Sequence, residues 1–418
     1  MSEWKKVKIG DIFSIEKGSL QSSKCTPGEY DFITAATDWK THNSFDHECE
    51  AIVYAVAASG SLGRAHYVNG KFIASDLCFI LTEKDKKQYP INFLFYQIVF
   101  EMLRDEIVSK TKTGTSKESI NRGNFSNYAI PYFPIEFQLA NYQKFVNAKN
   151  IIKNLLEESE KQKNYIKQLR QNILQDAIEG KLTADWRKQN PVQKGNPDYD
   201  AEALFEQIQK ERNNEKKHII LNDIGWYIST LDDFVKLKIG GTPARNNPLF
   251  WKPEIPWVSS GEVANCEIFS TKEQISYEGS NNSAAKILPV GTVLIAMIGQ
   301  GKTRGQAAIL RIEASTNQNV CAIILPKDLI LSEFLYIYFC SRYEESRKVA
   351  TGGNQAALSG TKISKFIFPL PPLAEQREIV KQVEKHLQTI TNLENQITER
   401  EQMTKKLMQS ILKGAFLA

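Results

Sequence analysis

Short apolar runs closed off by Gly, Asn, Ser or Pro alternate along the chain with longer amphipathic stretches. AIVYAVAA (51–58), FIASDLCFIL (72–81), GTVLIAMIG (291–299) and VCAIIL (320–325) have the length and flanks of strands in a mixed sheet. INFLFYQIVFEMLRDEI (91–107) and SEFLYIYFCSRYEESRKV (332–349) carry apolar residues at mixed three- and four-residue steps, which predicts helices laid on that sheet. The pattern therefore predicts an α+β fold.

A different period follows each globular stretch. After Pro131 and Pro134, the residues Ala148, Ile152, Leu155, Ser159, Gln162, Ile166, Leu169 and Ile173 recur at alternating steps of four and three, the signature of a coiled-coil seam. After Pro369, Pro371 and Pro372 the same spacing returns as His386, Ile390, Leu393, Ile397, Arg400, Thr404, Leu407 and Ile411. At 1.5 Å per residue, such helices of about 40 residues make rods of about 60 Å. Pairing them antiparallel would set two globular parts at opposite ends, with polar residues near mid-helix fixing the register.

These recurrences belong to a long internal repeat. A shift of 238 positions lays 114–180 on 352–418 without a gap, matching Gly114 with Gly352, Ser126 with Ser364, Gln138 with Gln376 and Leu155 with Leu393. Near the starts the shift is 222, matching Trp4 with Trp226. The expected organisation is a globular domain at 1–140, a long helix at 141–180 and an unduplicated centre at 181–225. A second domain at 226–375 and a second helix at 376–418 complete it. The full expectation is two mixed α/β domains held apart by a pair of long antiparallel coiled-coil helices, with an internal pseudo-two-fold repeat. The centre, KLTADWRKQNPVQKGNPDYD followed by AEALFEQIQKER, reads either as a linker with one docking helix or as a segment whose Trp186 and Arg187 meet a partner subunit.

Composition narrows this picture only slightly. The 418 residues exceed one compact core, and no apolar run is long enough to span a bilayer, so an intracellular protein without membrane contact is expected. Six cysteines without CxxC spacing read as reduced core thiols. Net charge is +5, yet residues 1–140 hold 16 basic and 17 acidic side chains, so a polyanion surface must be local.

Catalytic motifs fail on inspection. Gly301, Lys302 and Thr303 spell the end of a phosphate-binding loop, but Ala296 stands where its first glycine is required. Pro197, Asp198, Glu215 and Lys217 fit a loose nuclease spacing, but they lie in a polar, helical centre rather than on paired strands. Asn196–Tyr199 and Asn247–Phe250 miss the tetrapeptide of amino-methyltransferases. The histidines show no metal-ligand spacing. No catalytic residue, no metal and no cofactor is expected in this chain.

What remains is polar recognition. In the first unit the candidates are Ser59, Gly60, Ser61, Gly63 and Arg64, followed by Lys110, Lys112, Thr113, Thr115, Ser116, Lys117, Asn121 and Arg122. In the second they are Gln300, Lys302, Thr303, Arg304, Gln306, Asn317, Gln318, Asn354, Gln355 and Lys362. Amides and guanidiniums suit base edges, while lysines, hydroxyls and glycine N–H groups suit phosphates. A single-chain nuclease or methyltransferase, or a tandem-repeat interaction scaffold, stands as the alternative.

FPLPPLAEQREIVKQVE (368–384), its twin IPYFPIEFQLANYQKF (130–145), the GGNQAALS loop and the central GKLTADWRKQNP (180–191) resemble the specificity subunits of type I restriction-modification enzymes. The resemblance implies that each variable domain recognises one half of a split, asymmetric target in double-stranded DNA. It implies that the helices set the spacer between the halves. Two methylation subunits that bind S-adenosylmethionine and two restriction subunits that use ATP and Mg would supply the chemistry, in the cytoplasm. On this resemblance the DNA-facing residues are 59–64 and 110–122 for one half-site, and 300–306, 317–318 and 354–362 for the other. The two helices and the centre would contact the methylation subunits.

Overall fold

The computed structural model describes residues 4–58, 60–114, 118–212, 220–299, 301–349 and 358–417. They form two compact units: residues 1–163 with 395–418, and residues 164–394. Among the described residues no helix is long and apolar enough to cross a membrane.

The first unit is built on a six-stranded sheet in the order Phe13–Lys17, Cys78–Glu83, His47–Ala55, Ala65–Ala74, Tyr30–Ile33, Lys40–His42. All neighbours are antiparallel except Tyr30–Ile33 with Ala65–Ala74. The run AIVYA sits on the central strand, and side chains alternate between the faces of a strand. Ile52 and Tyr54 accordingly join an aromatic core with Phe13, Phe79, Tyr96, Phe100 and Phe125. Ala51, Val53 and Ala55 enter a second core with Ile33, Phe72, Ala74 and Ile80. The apolar run is buried on both sides because both faces are covered. The stretch 72–81, read as one strand, is broken by a turn that ends Ala65–Ala74 before Cys78–Glu83 begins. Each predicted sheet-covering helix is likewise two: Phe93–Met102 with Arg104–Thr111, and Ser332–Ser341 with Tyr343–Val349. The breaks fall at Leu103 and Arg342, whose ψ angles of 2° and 11° lie outside the helical range.

The second unit has a five-stranded sheet, ordered Lys236–Ile239, Val320–Ile324, Val293–Ala296, Ala307–Leu310, Cys266–Ile268. A small three-stranded sheet of Glu273–Ile275, Ile255–Val258 and Ser315–Thr316 accompanies it.

The repeat is legible bond by bond. Lys6–Lys8 pairs with Ala129–Pro131, placing Lys6 opposite Pro131, and Tyr227–Thr230 pairs with Ile367–Leu370, placing Ile228 opposite Pro369. These are the shifts of 222 and 238 within one ladder. Gln138 and Gln376, both fully buried, make one pattern twice. Gln138 accepts from the backbone N–H of Asn92 at 2.6 Å and donates to the Phe133 carbonyl at 2.7 Å. Gln376 accepts from the N–H of Leu331 at 2.9 Å and donates to the Pro371 carbonyl at 3.1 Å. In each case the amide ties the first turn of a long helix to the N-cap of a domain helix. Gln138→Ala takes the acceptor from the Asn92 N–H and the donor from the Phe133 carbonyl, and is expected to destabilise the protein by about 1–3 kcal/mol. Chemical denaturation of the variant measures this as a lower midpoint at unchanged slope.

The long helices are Ile135–Ile178 and Leu373–Leu417. Of the predicted stripe, every seventh residue is buried: Ile152, Ser159, Ile166 and Ile173 on the first, and Ile390, Ile397 and Thr404 on the second. The intervening leucines are exposed, Leu155 at 38%, Leu169 at 45%, Leu393 at 39% and Leu407 at 45%. In the second unit Arg170 reaches Glu394 at 3.2 Å while Thr183, beyond the first helix, reaches Glu375 at 2.6 Å. Advance along one segment thus matches retreat along the other. In the first unit Gln162 accepts from Arg400, and Lys163 pairs with Glu401 at 2.7 Å.

The centre is anchored within the second unit. Its helix Ala201–Arg212 buries Leu204, Phe205 and Ile208, stacks Phe205 on Tyr227 and donates from Gln209 to the Asp233 carbonyl. The carboxylate of Glu375, from PLPPLAEQ, is enclosed and accepts from the Thr183 hydroxyl at 2.6 Å, the Arg187 guanidinium and the Trp226 indole N–H at 2.8 Å. Arg187 is therefore committed to the interior of this unit rather than held out toward a partner, because a buried carboxylate requires a charge-assisted donor. Trp186 stacks on Tyr199 with rings 6.3 Å apart. The N–H groups of Leu373 and Ala374, unpaired within the helix they begin, donate to the carbonyls of Pro197 and Asp198.

Candidate nucleic-acid interface

The polar loops converge at one end of each main sheet. In the first unit the chain turns back after His47–Ala55: the N–H of Ala55 donates to the Arg64 carbonyl and that of Gly63 to the Ala55 carbonyl. Gly63 takes a φ of +79°, and a Cβ there would lie 2.7 Å from side-chain atoms of Arg104 and Val108, so the turn requires glycine. The hairpin Lys112–Thr113 with Ser119–Ile120 joins at the neighbouring residue, where the Ile120 N–H donates to the Val56 carbonyl at 2.8 Å.

The second unit repeats this frame. The N–H of Ala296 donates to the Gln306 carbonyl, that of Gly305 (φ +84°) to the Ala296 carbonyl, and that of Leu358 to the Met297 carbonyl. Leu358 is Ile120 shifted by 238. Met297 also donates to the Asn319 carbonyl at 2.9 Å, which brings the turns at 301–306 and 317–319 and the segment from 358 onward to one place.

Several candidate side chains serve this frame. Arg64 donates to the Ala35 carbonyl at 2.7 Å and to the Ser61 hydroxyl. Lys112 pairs with Glu118 at 2.6 Å, and Thr113 donates to the Ser119 carbonyl at 3.4 Å. Asn121 caps Arg122–Asn127, and Arg122 donates to the Ile15 carbonyl at 2.5 Å. Asn317 is 7% exposed and accepts from the Asn319 N–H. The carbonyls of Lys302 and Arg304 accept from Tyr343 and Arg347, and that of Thr303 from the Gln306 N–H. Gly60, Lys110, Lys302 and Gln318 are exposed, and Lys362 is partly buried. Ser59, Thr115, Ser116, Lys117, Gln300, Asn354 and Gln355 lie outside the described residues.

Sequence reasoning missed the loop GGTPAR (240–245). The N–H of Gly241 donates to the Thr316 carbonyl at 2.8 Å, and Thr242 donates to the side-chain oxygen of Gln318. Arg245 lies 3.7 Å from the centroid of Trp251 and is bidentate to Glu273, whose hydrogen bond raises the guanidinium pKa and lowers the carboxyl's. The adjacent glycines were the available signal: a Cβ on Gly240 would sit 2.2 Å from the Thr316 carbonyl oxygen. Among the described residues no group of His, Cys, Asp and Glu could hold a metal ion.

Amide, hydroxyl and basic loops are thus framed alike at the sheet ends of two α/β units, an architecture of paired polar surfaces on a duplicated fold. The family model described as the type I restriction modification DNA specificity domain matches residues 1–169 and again 223–401. The chain belongs to that family. It is 24% identical over 428 aligned positions to the type I restriction enzyme EcoDI specificity subunit of Escherichia coli, covering 99% of this chain and 88% of that one. It is 29% identical over 174 residues to the EcoR124I/EcoR124II specificity subunit of the same species, a match to 41% of this chain and 42% of that relative's length. A solved structure, titled for the complex assembly and conformational transition of the type I R-M system, shares the fold. Its TM-score is 0.61 at 16% identity, with 99% of this chain and 97% of that one covered.

Proposed function

We propose that this chain is the non-catalytic specificity subunit of a type I restriction-modification complex. Its domains at 1–140 and 226–375 each read one half of a bipartite, asymmetric target in double-stranded DNA. The carrying observation is the repeated loop frame, with Ile120 and Leu358 making the same backbone bond beside the same glycine-dependent turn. Described candidates with exposed side chains, such as Lys110, Lys302 and Gln318, meet the bases or phosphates. Those engaged internally, such as Asn121 and Asn317, hold the loops in shape.

The long helices act as an antiparallel coiled-coil spacer with a pseudo-two-fold axis near Gln162 and Arg400. These two residues are related by the 238 shift and touch each other, as self-equivalent positions do at a two-fold. The exposed leucines along both helices, with Val192, Ile220 and Leu221 of the centre, offer apolar surface to two methylation subunits. S-adenosylmethionine, ATP and Mg act in those subunits and in two restriction subunits, in the cytoplasm.

Exchange of residues 1–140 for the corresponding domain of another family member tests the reading by methylome sequencing of cells carrying the complex. One half of the methylated motif is expected to change while the other half and the spacer persist. An unchanged motif would mark a protein-interaction scaffold instead.

A further inference from the structure

We propose that the first unit holds a backbone phosphate of the bound DNA in a cationic pocket set between Arg64, Arg104 and Lys149. The inference rests on the recognition reading above and adds to it a site for the DNA backbone. The cavity has a volume of about 360 Å³, and its ionisable lining is Arg64, Arg104, Lys149, His66 and Glu101. Burial lowers the His66 pKa, and Arg64 nearby acts in the same direction, against the opposing pull of the Ala36 backbone and Glu101. Three cations then face one carboxylate, and Glu101 is already paired with Lys149. An anion is the ligand such a lining suits.

The geometry adds pre-organisation. Arg104 donates to the Leu62 carbonyl at 2.6 Å and the Gly60 carbonyl at 3.1 Å, which sets its guanidinium against the recognition turn. Arg64 is held by the Ala35 carbonyl and the Ser61 hydroxyl. A guanidinium has five N–H donors, and these contacts occupy only part of each set. At the rim Trp39 is 39% exposed and fixed by its indole N–H to His66 Nδ1 at 3.3 Å, a flat surface suited to a sugar or base beside the phosphate. The position of Arg64, braced at the pocket rather than extended, gives it a phosphate contact instead of the base contact its place in SGSLGR suggests.

The test measures DNA affinity against salt for the complex with its methylation subunits, on target and non-target duplexes. Lys149→Gln is expected to weaken both by the same factor and to make the slope of log affinity against log salt shallower by about 0.9, the loss of one phosphate contact. Glu101→Gln, which releases Lys149, is expected to tighten both. The methylated motif should not change in either variant. A duplex carrying one neutral methylphosphonate at successive positions should reveal one position that weakens the unaltered complex but not Lys149→Gln. Unchanged slopes in both variants, with discrimination between duplexes intact, overturn the pocket alone. Inorganic phosphate seen in the pocket by ³¹P NMR without any change in DNA slope assigns it to a free anion and also overturns it. A complex that binds both duplexes alike sinks the recognition reading instead, whatever the slopes show.

Discussion

Glu375→Ala is expected to lower stability by about 3–5 kcal/mol, the cost of leaving a partly buried guanidinium without its counter-ion. The carboxylate gathers three donors from separate stretches: Thr183 and Arg187 from the centre and Trp226 from the start of the second domain. Its removal takes the acceptor from the Trp226 indole and the counter-ion from Arg187, which keeps only its bond to the Thr183 hydroxyl and has only 20% of its side chain in solvent. Glu375→Gln keeps the shape and one acceptor oxygen but loses the charge, so it should fall between alanine and the native residue. Thr183→Ala should cost less than either, since a neutral donor is worth about 1 kcal/mol. Denaturant unfolding of the three variants orders them. Equal stability of Glu375→Ala and the native chain would mean that the carboxylate does not tie these segments together.

Gly240→Ala is expected to affect both stability and DNA recognition. A methyl group there meets the Thr316 carbonyl and hydroxyl oxygens at 2.2 Å and the Asn317 carbonyl oxygen at 2.4 Å. Backbone cannot yield as a flexible side chain would, so the turn at 316–319 must move away from the 240–245 loop. Overpacking of this kind costs about 1–3 kcal/mol. The functional effect should exceed the loss of stability, because the displaced turn carries Gln318 and its contact with Thr242. Methylome sequencing should show relaxed or lost selection in one half of the motif, with the other half kept. Loss of both halves together would point to general unfolding, and no loss would remove the 316–319 turn from the reading surface.

Much of this architecture could be read from the sequence because it is written twice. The 238 shift matches Gln138 with Gln376, which make the same pair of hydrogen bonds, and the two shifts reappear in the ladder that sets Lys6 opposite Pro131 and Ile228 opposite Pro369. The helical stripe was legible as a period but not as a depth of burial. Period fixes the face on which Leu155 and Ile152 lie, whereas their exposure depends on where the neighbouring helix crosses. Single side-chain roles were least legible. Asn317 and Gln318 are adjacent amides, yet Asn317 is enclosed, with its N–H on the Val258 carbonyl, and Gln318 is exposed, with Thr242 as its partner, and both partners are distant in sequence. Arg187 was ambiguous for the same reason, since its partner lies 188 positions away.

The Trp pair inherited by the two repeats has diverged in chemistry. Trp4 packs on Phe137 with ring centroids 5.0 Å apart, while at the equivalent place Trp226 donates a hydrogen bond to Glu375. This limits which recombinants between the two halves of the gene can survive. A crossover that brings Phe137 into the second repeat leaves Arg187 without its counter-ion and the Trp226 indole without its acceptor, and the reciprocal product buries a carboxylate against Trp4 and Phe133. Viable crossovers must move each tryptophan together with its own partner, so new specificities can be shuffled in as whole cassettes while finer mosaics are removed by misfolding.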